Sequence, residues 1–214
     1  MPRDAADTRQ RLLVAGRRLF ADNGVYATSL KAVVEQAGQR NTSALHYHFG
    51  GRDGLLTAIL DVHNARIETA RQSMLDAPTL TLDDLVAAVV LPQAALLREQ
   101  DGREFLSIIS QLSDLFDRWE DGRTPEQAMR AFLGIKQRLP ADLPDDLRHE
   151  RVTRFLELVS QALGSRARQI DAGLTPTVEH DTWVDNLATM AVGALSATGR
   201  GRGRPTPPAR AGSR

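Results

Sequence analysis

The chain has 214 residues, a formal net charge of zero and a hydrophobic fraction of 42%, which allows one large or two small domains with a sizeable core. It contains no cysteine, so disulfides, zinc–thiolate sites and thiol catalysis are excluded. Neither a signal-peptide core nor an apolar run of membrane length is visible, so we expect a cytoplasmic protein that binds no membrane.

The charges are distributed unevenly along the chain. Residues 1–60 carry a net charge of +3, residues 61–198 carry −8 and residues 199–214 carry +5. A basic head, an acidic body and a basic tail suggest a polyanionic partner at one end of the molecule. An excess of three charges over 60 residues also arises by chance, so charge alone does not identify the partner.

Apolar residues recur with a helical period, and strand-like alternation between turn signals is absent, which predicts an all-α fold. The first predicted helix has Leu12 and Phe20 on its apolar face and ends at Gly24, a residue suited to a left-handed cap. Thr28 is predicted to cap a second helix, which Gly38 ends.

The later segments are also predicted to be helical. A short third helix runs from Thr42 to His48, and a long fourth helix follows Gly51. Pro92 removes one backbone hydrogen bond inside the fifth helix, so a kink is expected near residues 88–92. Residues 199–214 are rich in Gly, Pro and Arg and are predicted to be disordered. Further helices are predicted over residues 82–99, 102–119, 125–138, 145–172 and 180–198.

Helices two and three, joined at Gly38, have the outline of a helix-turn-helix, whose second helix lies in the DNA major groove. The 17 residues from Gln36 to Arg52 include no Asp or Glu. Lys31, Arg40 and Arg52 stand near three predicted helix N-termini, where carboxylates are usual and phosphates bind well. Simple solvation of the cations is the alternative, but the agreement of three sites favours a phosphate-binding surface.

The stretch from Thr8 to Leu60, TRQRLLVAGRRLFADNGVYATSLKAVVEQAGQRNTSALHYHFGGRDGLLTAIL, resembles the DNA-binding domain of the tetracycline-repressor (TetR) family. The pattern LF…NG…ATSL…AG…L…HF…G carries the resemblance. Two departures fall in the third helix. The distance from Gly38 to Leu45 is one residue longer than is usual in the family, and His46 stands where tyrosine is common, with Tyr47 next. The resemblance therefore leaves two ways to align the base-contacting positions, which differ by one residue.

The resemblance implies three parts in the chain. Residues 1–54 would form a helix-turn-helix DNA-binding domain of three helices, residues 55–198 a helical bundle for ligand binding and dimerisation, and residues 199–214 a disordered tail. The implied function is a ligand-responsive transcriptional regulator, a repressor, that binds palindromic operator DNA as a homodimer and responds to a small effector. Neither a cofactor nor an enzymatic activity is implied.

Carried over residue by residue, the resemblance implies two kinds of DNA contact. Phosphate contacts position a protein, whereas Arg, Asn, Ser and Thr suit the hydrogen-bonding pattern of base edges in the major groove. Leu45 and Phe49 are expected in the core. The implied phosphate contacts are Thr28, Lys31, Tyr47 and Arg52. The candidates for base edges are Arg40, Asn41, Thr42, Ser43 and His46.

One histidine and one apolar stripe of the body are candidates for an effector pocket. His63 lies on the inward face of helix four, where a hydrogen-bonded core histidine and a ligand-binding histidine are equally consistent with the pattern. The stripe carries no charge, so it is either plain core or the wall of a pocket for an apolar, mainly uncharged ligand. It consists of Phe105, Ile109, Leu112, Phe116 and Trp119.

The last two helices carry apolar and small residues at helical spacing. Packing within one subunit would explain them, but together with the family resemblance they favour a four-helix dimer interface. The interface candidates are Val152, Phe155, Val159, Leu163, Leu187, Met190, Ala191 and Ala194.

Other functions have less support in the sequence. His46 and His48 are two residues apart and diverge on a helix, so no metal site is expected. A helical-bundle enzyme or ligand carrier with an incidental helix-turn-helix outline is the main alternative, but the Glu-x-x-His spacing typical of such enzymes is absent. A second alternative is an architectural protein that binds DNA without any ligand.

Overall fold

The computed structural model describes residues 2–120, 122 and 124–198. Within these residues it contains α-helices, short 3₁₀ segments and no strand, which confirms the all-α prediction. The tail of residues 199–214, predicted to be disordered, lies outside the described residues. The helices are α1 (Pro2–Asn23), α2 (Leu30–Gln36), α3 (Ser43–Phe49), α4 (Arg52–Leu75), α5 (Leu82–Ala94), α6 (Gln100–Gln111), α7 (Glu126–Arg138), α8 (Asp145–Asp171) and α9 (His180–Ser196).

Helices α1 to α3 and the first half of α4 enclose one apolar cluster, in which Leu12, Phe20 and Leu45 have no exposed surface. Leu45 is therefore a core residue, as predicted, and Phe49 packs against the same cluster. Gly38, with φ of +68°, forms the left-handed turn between α2 and α3. These contacts fix the orientation of α3, because one side of a seven-residue helix is anchored in the core.

The cap of α2 differs from the predicted one. Ser29, and not Thr28, caps α2, since its side chain accepts a hydrogen bond from the amide of Ala32. At α3, the side-chain oxygen of Asn41 accepts from the amide of Ser43 at 2.9 Å. Thr28 and Ser29 both carry a hydroxyl that could cap the helix, so the sequence does not decide between them. Ser29 is the cap because its backbone is extended just before the first helical residue.

Helix α5 continues through Pro92, and the change of helical type comes after it, in the 3₁₀ segment Ala95–Arg98. Proline has no amide hydrogen to donate, so the carbonyl of Ala88, four residues earlier, lacks its usual helical partner. The Nε of Arg71 on α4 donates to this carbonyl at 3.0 Å. A buried hydrogen bond between α4 and α5 thus replaces the missing helical bond.

The second half of α4 and helices α5 to α9 form the body, with α6 and α8 in close contact at its centre. The helix predicted over residues 102–119 is α-helical only to Gln111 and continues as the 3₁₀ segment Ser113–Arg118. None of the described helices combines the length and the apolar character that crossing a bilayer requires.

Candidate nucleic-acid interface and cavity

The outer face of α3 and the turn before it form one exposed surface. Leu45 anchors the helix from inside, while Tyr47 is 83% exposed on the outside. All the candidates for base edges lie on this surface and are exposed: Arg40, Asn41, Thr42, Ser43 and His46. The structure therefore brings together every predicted base-edge residue in one continuous patch, which we call the α3 face, comprising these five residues and Tyr47.

Asn41 and Ser43 are already hydrogen-bonded to each other within the α3 face. The side-chain oxygen of Asn41 accepts from the amide of Ser43 and also from its hydroxyl at 2.8 Å. These two hydrogen bonds occupy the side-chain oxygen of Asn41 and leave its Nδ2 amino group as a donor for a base edge.

The four predicted phosphate contacts divide into two pairs. Lys31 is exposed on α2, 3.6 Å from Glu35, and Tyr47 is exposed on α3. Thr28 is buried, and its hydroxyl lies within hydrogen-bond distance of the carbonyls of Leu19 and Gly24. A phosphate contact from the Thr28 hydroxyl would have to break an internal hydrogen bond.

Arg52 also points inward. Its guanidinium donates to the carbonyls of Val25 and Thr28, the second at 2.6 Å, and lies 5.7 Å from the ring centre of Phe20. Arg52 therefore connects the start of α4 to the turn before α2. Sequence reasoning assigned it to phosphate because a cation at a helix N-terminus looks the same whether it faces solvent or a carbonyl of the turn.

Helix α6 connects the body to the N-terminal unit, which consists of α1 to α3 and the first half of α4, through contacts that sequence reasoning missed. The side chain of Gln111 accepts a hydrogen bond from the amide of Val25 at 2.9 Å and donates one to the carbonyl of Phe20 at 3.1 Å. Ile108 and Leu112 lie in the same apolar cluster as α1 to α3. No sequence signal distinguishes Gln111 from a solvated helical glutamine, because its partners are backbone groups far away in the chain.

His63 lies at the junction of α1, α4 and α6 and not in a cavity wall. It is fully buried, its ring centre is 5.0 Å from that of Phe105, and its Nε2 is 3.8 Å from Asp101. Neither ring nitrogen has a hydrogen-bond partner among the described residues. Burial lowers the pKa of His63, although the carboxylate of Asp101 partly opposes this effect.

A cavity of about 370 Å³ lies in the body between α4, α5, α6, α7 and α8. Its apolar wall includes the whole predicted stripe: Phe105, Ile109, Leu112, Phe116 and Trp119. The volume falls in the usual range for small-molecule sites. The stripe is therefore part of a cavity wall as well as part of the core, and only His63 among the six pocket candidates is outside the wall.

The cavity also has a charged pair that the sequence reading did not include. Arg71 is 4% exposed, and its Nη1 donates to Glu68 one turn earlier on α4. Glu68 also accepts from the backbone amide of Gln127 at 2.8 Å. Burial lowers the pKa of Arg71, and the neighbouring carboxylate of Glu68 opposes this effect. The pair was missed because residues three apart on a helix usually form a solvated surface pair.

The structure places the dimer candidates mainly inside their own subunit. Six candidates keep at most 5% of their surface exposed and pack mainly in the core of their own subunit. Met190, 55% exposed, and Ala194 lie on the surface of α9. Helical periodicity identifies a buried face, but it does not reveal whether the same chain or a second copy covers it. The buried six are Val152, Phe155, Val159, Leu163, Leu187 and Ala191.

Comparison with known families identifies the N-terminal unit. Residues 12–59 match the model of bacterial regulatory proteins of the tetR family. This range includes most of the N-terminal apolar cluster and the entire α3 face. The N-terminal unit of this chain is therefore of the TetR type.

Two similar proteins are HTH-type transcriptional regulators by name. An uncharacterized HTH-type transcriptional regulator of Mycobacterium tuberculosis is 28% identical over 131 residues, which cover 53% of this chain and 66% of the relative, just under two thirds of its length. The HTH-type transcriptional repressor AcnR of Corynebacterium efficiens is 26% identical over 171 residues, covering 75% of this chain and 81% of the relative.

Two solved structures of bacterial regulators share the fold. NalD, the secondary repressor of the MexAB-OprM multidrug efflux pump in Pseudomonas aeruginosa, superposes with a TM-score of 0.58 at 18% identity, covering 91% of this chain and 98% of NalD. A TetR-family regulator from Streptomyces coelicolor gives 0.50 at 21% identity, covering 89% of this chain and 95% of that one. The N-terminal helix-turn-helix followed by a helical body is therefore the fold of this chain.

Proposed function

We propose that this protein is a TetR-family regulator, a ligand-responsive repressor that binds palindromic operator DNA as a homodimer. The α3 face carries the proposal, because it is exposed, holds donors suited to base edges and lies in a stretch without carboxylates. Such a regulator would act in the cytoplasm, where bacterial DNA lies. Residues 1–54 would bind DNA, and residues 55–198 would bind the effector and dimerise.

In this proposal Arg40, Ser43 and His46 read base edges, together with Thr42 and the free amino group of Asn41. Lys31 and Tyr47 hold phosphates, since both are exposed beside the α3 face. Thr28 and Arg52 act indirectly, by fixing the turn that orients α2 and α3. This division follows the general rule that phosphate contacts position a protein and base contacts give sequence preference.

The proposed dimer places two α3 faces on one palindrome. One such unit binds DNA weakly, whereas two linked units reach dissociation constants on the order of 10⁻⁸ M or tighter. Exposed apolar residues on the outer sides of α8 and α9, including Leu158 and Met190, support an interface there. The buried residues of the same helices would support this surface from within.

The effector is proposed to act through α6. Phe105 and Ile109 of this helix line the cavity, and Gln111 at its end is hydrogen-bonded to the turn before α2. A ligand that favours one position of α6 therefore also favours one orientation of the DNA-binding unit. The coupling must be reciprocal, so DNA should weaken ligand binding by the factor by which ligand weakens DNA binding.

A footprint on DNA flanking the protein's own gene tests the core of the proposal. We expect protection of two half-sites about one helical turn apart, or a multiple of it. Steep salt dependence without sequence preference would instead indicate an architectural DNA-binding protein. Sedimentation at micromolar concentration tests the dimer separately, and a monomer there would contradict it.

A further inference from the structure

Arg71 is held in the wall of the cavity by two different acceptors. Its Nε donates to the carbonyl of Ala88, which has no helical partner because Pro92 follows four residues later. Its Nη1 donates to Glu68, and the backbone amide of Gln127 holds the other oxygen of that carboxylate. Contacts from α5 and α7 therefore fix the position of the guanidinium before any ligand arrives.

The second amino group of Arg71, Nη2, has no acceptor within the part of the chain that the structure describes. Arg71 is 4% exposed and lines the cavity, so this donor is largely withdrawn from bulk solvent. Nη2 is not one of the fully buried atoms without a partner, so it keeps accessible surface at the cavity and can reach a ligand. A ligand that supplies an acceptor there gains a hydrogen bond to a charged donor. Arg71 therefore gives the mainly apolar wall a donor whose position is fixed in advance.

The charges around this position favour an uncharged acceptor. Glu68 neutralises Arg71, and it is the one carboxylate among the described wall residues. Arg118, the other charged wall residue, is exposed to solvent. A ligand carboxylate would lose its hydration beside an ion pair of zero net charge, whereas a carbonyl oxygen has no charge to desolvate.

We infer that the cavity binds an uncharged, largely apolar molecule whose carbonyl oxygen accepts a hydrogen bond from Nη2 of Arg71. The inference rests on the proposed function, in which this molecule is the effector. Asn64 and Ile67 line the cavity on the same side of α4 as Arg71, at helical spacing. The hydrogen bond would thus fix the ligand to the helix that begins in the DNA-binding unit.

Titration calorimetry with matched compounds tests the inference on the full chain. The pairs differ only in a carbonyl: acetophenone with ethylbenzene, 2-octanone with octane, and benzophenone with diphenylmethane. Benzoate, octanoate and diphenylacetate are the charged members. We expect at least one ketone to bind about tenfold more tightly than its hydrocarbon, as a hydrogen bond to a charged donor allows. The corresponding carboxylate should bind more weakly than the ketone.

The double variant Arg71→Met with Glu68→Gln removes the donor without leaving either charge unpaired. The side-chain amide that it introduces at position 68 can still accept a hydrogen bond from the backbone amide of Gln127. The double variant should abolish the ketone advantage, whereas the control Arg66→Met should keep it, since Arg66 pairs with Glu99 outside the cavity wall. The comparison of compounds on the unaltered chain does not depend on the folding of the variant.

Equal affinity for ketone and hydrocarbon, tighter binding of the carboxylate, or no binding by any pair would overturn the inference. A ketone advantage that survives in the double variant would also overturn it. The footprint separates this result from the proposed function. DNA protection without a ketone advantage refutes only the inference, whereas a ketone advantage without DNA protection refutes the repressor and leaves the ligand site supported.

Discussion

The α3 face and the cavity are built in opposite ways. The α3 face consists of six residues within positions 40–47, on one short helix and its leading turn, and they are exposed because Leu45 fixes the other side of the helix. The cavity takes residues from five helices and a 3₁₀ segment, and its polar position depends on Pro92 and Gln127, which lie far from Arg71 in the chain. Substitutions should therefore act locally at the α3 face and through several helices at the cavity.

The largest expected effect is on DNA affinity. Arg40→Ala combined with Asn41→Ala should lower operator affinity by about 100-fold or more, because each base contact is worth about 1–3 kcal/mol and the dimer carries two copies. Gel shift on the footprinted site measures the change. Ligand affinity of the free protein should stay the same, and a parallel loss of ligand binding would show that the two regions are not separate. Unchanged operator affinity would refute the base-reading assignment.

The next largest effect distinguishes a residue with internal hydrogen bonds, Arg52, from a residue that contacts phosphate, Lys31. Arg52→Met should lower the free energy of unfolding by about 2–3 kcal/mol, because two turn carbonyls are left without a charged donor. Lys31→Met should leave stability within about 0.5 kcal/mol and instead reduce the slope of DNA affinity against salt by about one unit for each phosphate that is no longer neutralised. Urea unfolding and salt-dependent gel shifts measure both. If Arg52→Met alters only the salt dependence, Arg52 is a phosphate contact after all.

Gln111 joins the two regions, so its replacement should affect both stability and coupling. Gln111→Ala leaves the amide of Val25 without its partner, and we expect a loss of about 1–2 kcal/mol in unfolding free energy. The change in DNA affinity caused by a bound ligand should shrink, while ligand affinity in the absence of DNA should hold. Gln72→Ala, on the exposed side of α4, is the matched control. If a bound ligand changes DNA affinity as much in the Gln111 variant as in the unaltered chain, Gln111 does not connect the ligand to DNA binding.

The smallest effect concerns pH and the junction itself. Burial lowers the pKa of His63 in the folded chain below the value of about 6.5 that it has in the unfolded chain. As the pH falls below about 6.5, the unfolded chain therefore binds a proton at His63 that the folded chain does not yet bind. Stability should therefore be full above this pH and fall on acidification, by at most about 1.4 kcal/mol per pH unit until the folded pKa is reached. Unfolding at pH 7.5 and 5.5 should show a smaller difference for His63→Leu, whereas His180→Gln serves as control. If His63→Leu leaves the stability difference between pH 7.5 and 5.5 unchanged, His63 is not the source of the pH dependence.

Helices and the α3 face could be predicted because they depend on neighbouring residues. The apolar period located α1 to α4 and placed Leu45 inward, and the remaining residues of α3 then had to face outward. The stripe from Phe105 to Trp119 followed from the same period. Whether that stripe bordered solid core or a cavity could not be predicted, since this depends on how completely the facing helices fill the space.

The sequence by itself determined the helical fold, the helix-turn-helix and the composition of the α3 face, because all of these follow from local periodicity, turns and residue chemistry. Tertiary structure alone decided that Arg52 and Thr28 point inward, that Gln111 joins α6 to the turn before α2, and that His63 lies outside the cavity wall. It also decided that Arg71 stands in that wall with one free donor. Arg52, Gln111 and the Nε of Arg71 form hydrogen bonds with backbone groups at least 17 residues away in the chain, and only packing brings them within hydrogen-bond distance.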